Sequence, residues 1–132
     1  MPDPARPLIL IVDDDPSVAK VLGALVQRAG YEVRIAGMPR DAMALLEEGV
    51  AAMLVDLRLP EMRGDAFFYL ASARFPHLAE RTILMTGDIS EQAETLVMAT
   101  GCPILRKPFA GRVLYDILAR MAPFTSSNSE AS

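Results

Sequence analysis

Short apolar runs alternate along the chain with longer stretches of helical periodicity. Almost unbroken apolar runs lie at residues 8–12, 50–55 and 82–85, and such runs are typical of strands that are buried on both faces. Residues 31–36 alternate between apolar and polar side chains, and residues 103–105 form a short further run. The pattern therefore predicts five strands.

Between these runs, apolar side chains recur at the three-and-four spacing of amphipathic helices. The first predicted helix has Asp15 as N-cap, Pro16 in its first turn and Gly30 at its end. A second helix is expected from Pro39 to Gly49. The other positions that carry the helical pattern are Val18, Val21, Leu22, Leu25, Val26 and Ala29 in the first helix, Phe67, Phe68, Leu70 and Ala71 in the third, Ala93, Leu96 and Val97, expected to face inward, in the fourth, and Val113, Leu114, Ile117, Leu118 and Met121 in the fifth.

The regular alternation of strand and helix predicts the fold class. Right-handed crossovers place a helix over a parallel sheet each time, so both faces of the sheet become covered. We expect an α/β, doubly wound (βα)5 sandwich, flavodoxin-like, with strand order 2-1-3-4-5. Residues 7–121 would form this single domain, with an N-terminal extension at 1–6 and a mobile C-terminal tail at 122–132.

Composition excludes several classes of protein. Of the 132 residues, 52% are hydrophobic, yet no apolar run approaches the roughly 20 residues of a membrane span. The single cysteine, Cys102, cannot form an internal disulfide, and the start of the chain does not resemble a signal peptide. A net charge of -4 argues against direct binding of nucleic acid. These features favour the cytoplasm and give no reason to expect a membrane partner.

Polar residues follow four of the five predicted strands. Asp13 and Asp14 follow the first, Asp56 the third, Thr86 the fourth and Lys107 the fifth. In a doubly wound sheet these strand ends share one edge, where ligands bind. An aspartate there can attack a phosphoryl group, and Mg²⁺ favours carboxylate and phosphate oxygens as ligands. A lysine and a threonine hydroxyl can donate hydrogen bonds to the phosphoryl oxygens.

These residues stand in motifs that resemble those of response-regulator receiver domains: "VDLRLPEMRG" after the third strand, "ILMTG" after the fourth and "LRKPF" after the fifth. The resemblance implies that Asp56 is the phosphoacceptor, with Thr86 and Lys107 completing the catalytic set. It also implies Mg²⁺ or Mn²⁺ held by Asp13, Asp14, Asp56 and the backbone carbonyl of Arg58. A cis peptide before Pro108 is a further expectation.

The resemblance also implies partners. A histidine kinase or a histidine phosphotransfer protein would supply the phosphoryl group, and the domain would catalyse only its own phosphorylation and dephosphorylation. Signalling would pass to a downstream protein through helix 4, strand 5 and helix 5, a surface that could also form a homodimer. The motifs "LMTGDIS" and "TGCPILRKPF" are similar to the terminal receivers of hybrid histidine kinases, and no output domain is expected after this one.

Some positions depart from the family pattern. Ile104 stands where many receivers have the Tyr or Phe that swings inward on phosphorylation, and Gly87 stands where Ala is common. Aromatic switching is therefore not expected. Arg58 and Asp88 are oppositely charged, and pairing between them across the mouth of the site would restrict the attacking water.

Three other interpretations compete with this one. The segment "IVDDDPS" is similar to the opening motif of haloacid-dehalogenase-like phosphohydrolases, in which Asp13 would be the nucleophile. That family needs a further acidic pair after a later strand, where this chain has only Asp116, and it would not need Asp56. A receiver-like scaffold that works without phosphorylation is the second alternative. In the third, the aspartates at 13–15 merely cap the first helix.

Overall fold

The computed structural model describes residues 6–87 and 90–123, although the side chains of residues 91–93 are not described. Five parallel strands form one sheet in the order β2-β1-β3-β4-β5, which confirms the predicted fold class and strand order. The elements are β1 (Leu8–Val12), α1 (Pro16–Arg28), β2 (Glu32–Ala36), α2 (Pro39–Leu45), β3 (Val50–Asp56), α3 (Gly64–Arg74), a short 3-10 helix (Pro76–Glu80), β4 (Thr82–Thr86), α4 (Glu91–Thr100), β5 (Ile104–Arg106) and α5 (Gly111–Met121).

Helices cover both faces of the sheet. Ile9 and Ile11 of β1 enter a core cluster shared with α1 and α5, whereas Leu10 and Val12 enter a second cluster shared with α2, α3 and α4. Successive strand side chains point to opposite faces, so a strand covered on both sides must be apolar throughout. In the described part of the chain, no helix has both the length and the apolar character that crossing a membrane requires.

Both ends of α1 lie where the sequence predicted. The Asp15 carboxylate accepts hydrogen bonds from the backbone N–H of Ser17 at 3.0 Å and of Val18 at 3.4 Å, so Asp15 is the N-cap. Gly30 follows the helix with φ at 104°, a conformation that costs glycine little. Capping therefore accounts for one of the three neighbouring aspartates.

We expect Asp15→Ala to lower the melting temperature by a few degrees and to leave affinity for Mg²⁺ unchanged, because Asp15 caps α1. Hydrogen bonds from Ser17 and Val18 hold the pKa of Asp15 below its ordinary value. A lowered pKa stabilises the fold above the ordinary value, and this stabilisation is lost as the pH falls through the lowered one. Thermal melts of both proteins should therefore converge in acid. An equal deficit in melting temperature at every pH would contradict this role.

Two expectations about the helices were wrong. Helix α2 ends at Leu45 rather than Gly49, because Leu46 turns to an extended conformation, with ψ at 138°, and its side chain enters the core. Leu96, expected to face inward, is 45% exposed. A helix on a sheet buries only one stripe of side chains, so apolar residues beside that stripe stay in solvent. Other apolar pattern positions left exposed are Val21, Leu70 and Val113.

Candidate functional site

The carboxyl ends of β1, β3, β4 and β5 bring the predicted site residues to one edge of the sheet. Asp13 directly follows β1, Asp56 is the last residue of β3, Thr86 is the last residue of β4 and Lys107 directly follows β5. Each of Asp13, Asp14 and Asp56 offers a carboxylate oxygen within 4.8 Å of the others. The three carboxylates thus lie together at the edge of the sheet, as the sequence predicted.

Lys107 bridges two of these carboxylates. Its Nζ donates to Asp13 Oδ2 at 3.0 Å and to Asp56 Oδ2 at 2.9 Å. The Lys107 N–H also donates to the Thr86 carbonyl at 2.7 Å, which anchors the lysine to the end of β4. One ammonium group therefore offsets part of the charge of two buried carboxylates.

Burial and pairing act differently on the ionisation of Asp13 and Lys107. Desolvation raises the pKa of Asp13 above its ordinary value of 3.8, although hydrogen bonds from the Asp15 N–H and from Lys107 oppose the shift. For Lys107, desolvation alone would lower the pKa, but hydrogen bonds to Asp56 and Asp13 raise it above 10.5 overall. The lysine is therefore a cation at neutral pH, and ionised Asp13 is destabilised by its burial.

Asp56 is held at both of its carboxylate oxygens. Its Oδ1 accepts from the Arg58 N–H at 3.0 Å, and its Oδ2 accepts from Lys107. The start of α3 packs directly against the backbone at the end of β3. A Cβ on Gly64 would overlap the Asp56 carbonyl oxygen and lie 2.9 Å from Leu57 Cα. Only glycine fits at this position without a backbone shift.

The remaining predicted residues differ in exposure. Asp14 is exposed and Thr86 is buried. Ile104 is half-buried at the start of β5, where its aliphatic side chain has no polar group. The peptide between Lys107 and Pro108 is cis, as expected. Asp88 lies outside the described residues, so its pairing with Arg58 stays a prediction.

Two residues near the site were missed by sequence reasoning. Arg63 Nε donates to Asp65 Oδ1 at 2.9 Å, and Asp65 is buried in the first turn of α3. The sequence pattern that could have indicated this ion pair is an arginine just before a helix and an acidic residue in the first turn of that helix. Such charges are usually solvated, so the pattern alone does not indicate pairing.

The donor set suits a hard divalent cation. All three clustered side chains offer carboxylate oxygens, which Mg²⁺ prefers, and the exposed Asp14 leaves one side of the cluster open to water. In Asp13 and in Asp56, Oδ2 accepts from Lys107 and Oδ1 accepts from one backbone N–H. A carboxylate has about four lone-pair sites, so each can still bind a cation. Asp13, Asp14 and Asp56 could therefore hold Mg²⁺ together with water.

Comparison with known proteins gives a consistent result. The family described as response regulator receiver domain matches residues 9–119. The transcriptional regulatory protein GltR of Pseudomonas aeruginosa is 34% identical over 123 residues, which cover 89% of this chain and 50% of the relative. The transcriptional regulatory protein CpxR of Klebsiella pneumoniae is 33% identical over 107 residues, covering 80% of this chain and 45% of the relative. The chain thus spans about half the length of these relatives.

Solved structures share the fold over nearly the whole chain. A CheY-like response regulator receiver domain protein from Methanospirillum hungatei superposes with a TM-score of 0.78 at 25% identity, covering 96% of this chain and 99% of the other. The chemotaxis protein CheY4 of Vibrio cholerae superposes with a TM-score of 0.77 at 27% identity, covering 89% of this chain and 99% of the other. The similarity to these proteins therefore includes the five-stranded sheet as well as the sequence motifs.

Proposed function

Because this chain belongs to the response-regulator receiver domain family, we propose that it accepts a phosphoryl group on Asp56 from a phosphohistidine of a histidine kinase or phosphotransfer protein. The observation that carries the proposal is the setting of Asp56. Its carboxylate ends a buried strand, lies in the acidic cluster and contacts both Lys107 and the Arg58 N–H. Receiver domains are signalling modules rather than enzymes acting on an external substrate.

The side chains of the site would divide the work of phosphoryl transfer. A carboxylate oxygen of Asp56 attacks the phosphorus, an O–P bond forms, and the N–P bond to the donor imidazole breaks. Lys107 moves one of its hydrogen bonds from a carboxylate to a phosphoryl oxygen, and the Thr86 hydroxyl donates to another. Mg²⁺, held by Asp13, Asp14, Asp56 and the Arg58 carbonyl, would neutralise charge on the phosphoryl oxygens.

A labelling experiment separates this function from the alternatives. The protein is incubated with acetyl phosphate and Mg²⁺, the acyl phosphate is reduced with borohydride, and the modified residue is mapped by mass spectrometry. Label on Asp56 is expected. Label on Asp13 would support the haloacid-dehalogenase-like alternative, and no label at all would support a scaffold that works without phosphorylation.

The switch should depend on Thr86 rather than on residue 104, because Ile104 can neither donate a hydrogen bond nor swing a ring. We expect Ile104→Ala to be phosphorylated at a rate within a few-fold of wild type and to keep phosphorylation-dependent partner binding. Thr86→Ala should accept the phosphoryl group but lose that binding change. Initial rates with acetyl phosphate and pull-downs with beryllofluoride measure both properties. If only Ile104→Ala lost the binding change, this account of the switch would be wrong.

Output would pass through α4, β5 and α5. Exposed apolar side chains on α4 and α5 support this surface, since Met98 is 66% exposed and Val113 is 45% exposed. Such side chains favour contact with another protein, either a downstream partner or a second copy of the chain. A pull-down with and without beryllofluoride would identify a downstream partner, and sedimentation under both conditions would detect a dimer.

A further inference from the structure

The loop between β3 and α3 is closed by a bridge between two arginines. Arg58 and Arg63 pair in antiparallel fashion, and the Gly64 N–H donates to the Leu57 carbonyl at 3.0 Å beside them. This arrangement makes Arg58 and Arg63 a non-hydrogen-bonded pair, in which side chains lie closest together. Like charges directly opposite each other destabilise such a pair. A carboxylate beside Arg63 therefore favours the bridge.

Asp65 supplies the compensating charge. Its Oδ1 accepts from Arg63 Nε at 2.9 Å, and its side chain is only 11% exposed, against 49% for Arg63. The carboxylate lies in the first turn of α3, where the helix dipole favours a negative charge. The ion pair thus ties the last loop residue to the start of the helix. Because Arg63 is about half in solvent, the pair is partly screened, and its importance would lie in geometry.

The same bridge controls the contacts of Asp56. Because the bridge leaves the Arg58 N–H unused, that N–H is able to donate to Asp56 Oδ1 at 3.0 Å. A change in the path of Arg63 would shift Arg58 across the bridge and move this donor. Directly after Arg63, Gly64 packs against the Asp56 carbonyl without room for a Cβ. The orientation of the Asp56 carboxylate therefore depends on a closed loop.

We propose that Arg63 is a positioning residue for phosphoryl transfer, and that its ion pair with Asp65 sets the angle at which Asp56 meets the phosphorus. This inference rests on the proposed phosphoacceptor role of Asp56. Arg63 touches neither the donor nor the phosphoryl group. Displacements of about 1 Å at a reacting group can cost up to roughly 10²-fold in rate, so a loosened loop should slow the reaction measurably without preventing it.

The test compares Arg63→Ala, Asp65→Asn and Arg63→Lys with wild type, and Arg74→Ala is the control. Arg74 is an exposed arginine in the last turn of α3 that contacts the ring of Phe75, outside the loop. The measurements are the initial phosphorylation rate with acetyl phosphate and the amide proton shift of Arg58 in the metal-free protein. The second measurement reports the hydrogen bond to Asp56 without any phosphorylation.

We expect Arg63→Ala and Asp65→Asn to be slower by roughly tenfold and to move the Arg58 amide proton upfield, because its hydrogen bond lengthens. Arg63→Lys should stay within about twofold of wild type in rate, since lysine restores the pair, and Arg74→Ala should match wild type. If Arg63→Ala does not fold, Asp65→Asn carries the test.

The proposal would be overturned if Asp65→Asn were phosphorylated at the wild-type rate and its Arg58 amide proton did not shift. It would also be overturned if Arg74→Ala lost as much phosphorylation rate as the loop variants. A loss of rate that Arg63→Lys did not restore would also overturn it. Failure of the proposed function gives a different result, because wild type itself would then carry no label on Asp56. The amide proton shift of Arg58 would still show whether Arg63 and Asp65 hold the loop in place.

Discussion

Asp56→Asn is expected to reduce phosphoryl incorporation by about 10²-fold or more, because an amide oxygen is a far weaker nucleophile than a carboxylate. The substitution keeps the shape of the side chain. In wild type the Arg58 N–H donates to Asp56 Oδ1, and the amide oxygen of the variant can accept the same hydrogen bond. Folding should therefore be retained. Incorporation from acetyl phosphate, measured by phosphate-affinity electrophoresis, gives the rate, and circular dichroism verifies the fold.

Asp41→Asn is the matched control, since Asp41 is an exposed aspartate in the first turn of α2, away from the cluster. It should be labelled at the wild-type rate. Incorporation that persists in Asp56→Asn and maps to Asp13 would show that the phosphoacceptor has been assigned to the wrong strand.

Asp13→Asn should melt higher than wild type without metal and should lose the stabilisation that Mg²⁺ provides. Asp13 is 2% exposed, and desolvation raises its pKa despite the contact with Lys107. Ionised Asp13 therefore destabilises the metal-free fold, and an amide removes that charge at nearly constant shape. A ligand that binds only the folded state stabilises it by about 2.7 kcal/mol at a hundredfold excess over Kd. Removing a ligand carboxylate should abolish most of that gain.

The effect of Asp13 on the stability of the fold should change with pH in a predictable direction. A carboxyl with a raised pKa favours the fold below its ordinary value of 3.8, and this contribution is lost as the pH rises through the raised pKa. Asp13→Asn has no carboxyl group at this position that titrates, so the variant does not lose this stabilisation as the pH rises. The difference in melting temperature between variant and wild type in EDTA should therefore grow from acid toward neutral pH. Protons also compete with Mg²⁺ for Asp13, so the wild-type gain from Mg²⁺ should fall as the pH is lowered.

Asp14→Asn is the matched control for burial. Asp14 belongs to the same cluster but is exposed, so its charge is screened by solvent. This variant should lose much of the gain from Mg²⁺ while melting near wild type in EDTA. Thermal melts in EDTA and in several millimolar Mg²⁺ measure both variants. If Asp13→Asn melted lower in EDTA, or gained as much from Mg²⁺ as wild type, Asp13 would be a structural residue rather than a metal ligand.

The location of the acidic cluster could be inferred from the sequence for a simple physical reason. Apolar runs buried on both faces require a covered parallel sheet, and the carboxyl ends of parallel strands share an edge. Polar residues after β1, β3, β4 and β5 must then lie near one another. Both ends of α1 could also be predicted from neighbouring residues alone, because the N-cap and the final glycine act within a few residues of the helix.

Side-chain exposure was less predictable. Apolar periodicity indicates which face of a helix turns inward but not how wide the buried stripe is. Leu96 therefore stays in solvent although its spacing suggested a core position. The early end of α2 has a related cause, since burying Leu46 in the core takes precedence over continuing the helix. Both outcomes depend on neighbours that are distant in sequence.

By itself, the sequence determined the class of fold, the edge that carries the site and the residue types gathered there, because these follow from periodicity and from parallel topology. The sequence also predicted Asp15 as the N-cap of α1, because capping acts locally, but only the tertiary structure decided how Asp13 and Asp14 differ. Asp14 stays exposed, whereas Asp13 is buried against Lys107. Asp13 and Asp14 are adjacent in the chain and identical in chemistry, so their roles differ only through burial and through contacts with residues such as Lys107, 94 positions away from Asp13.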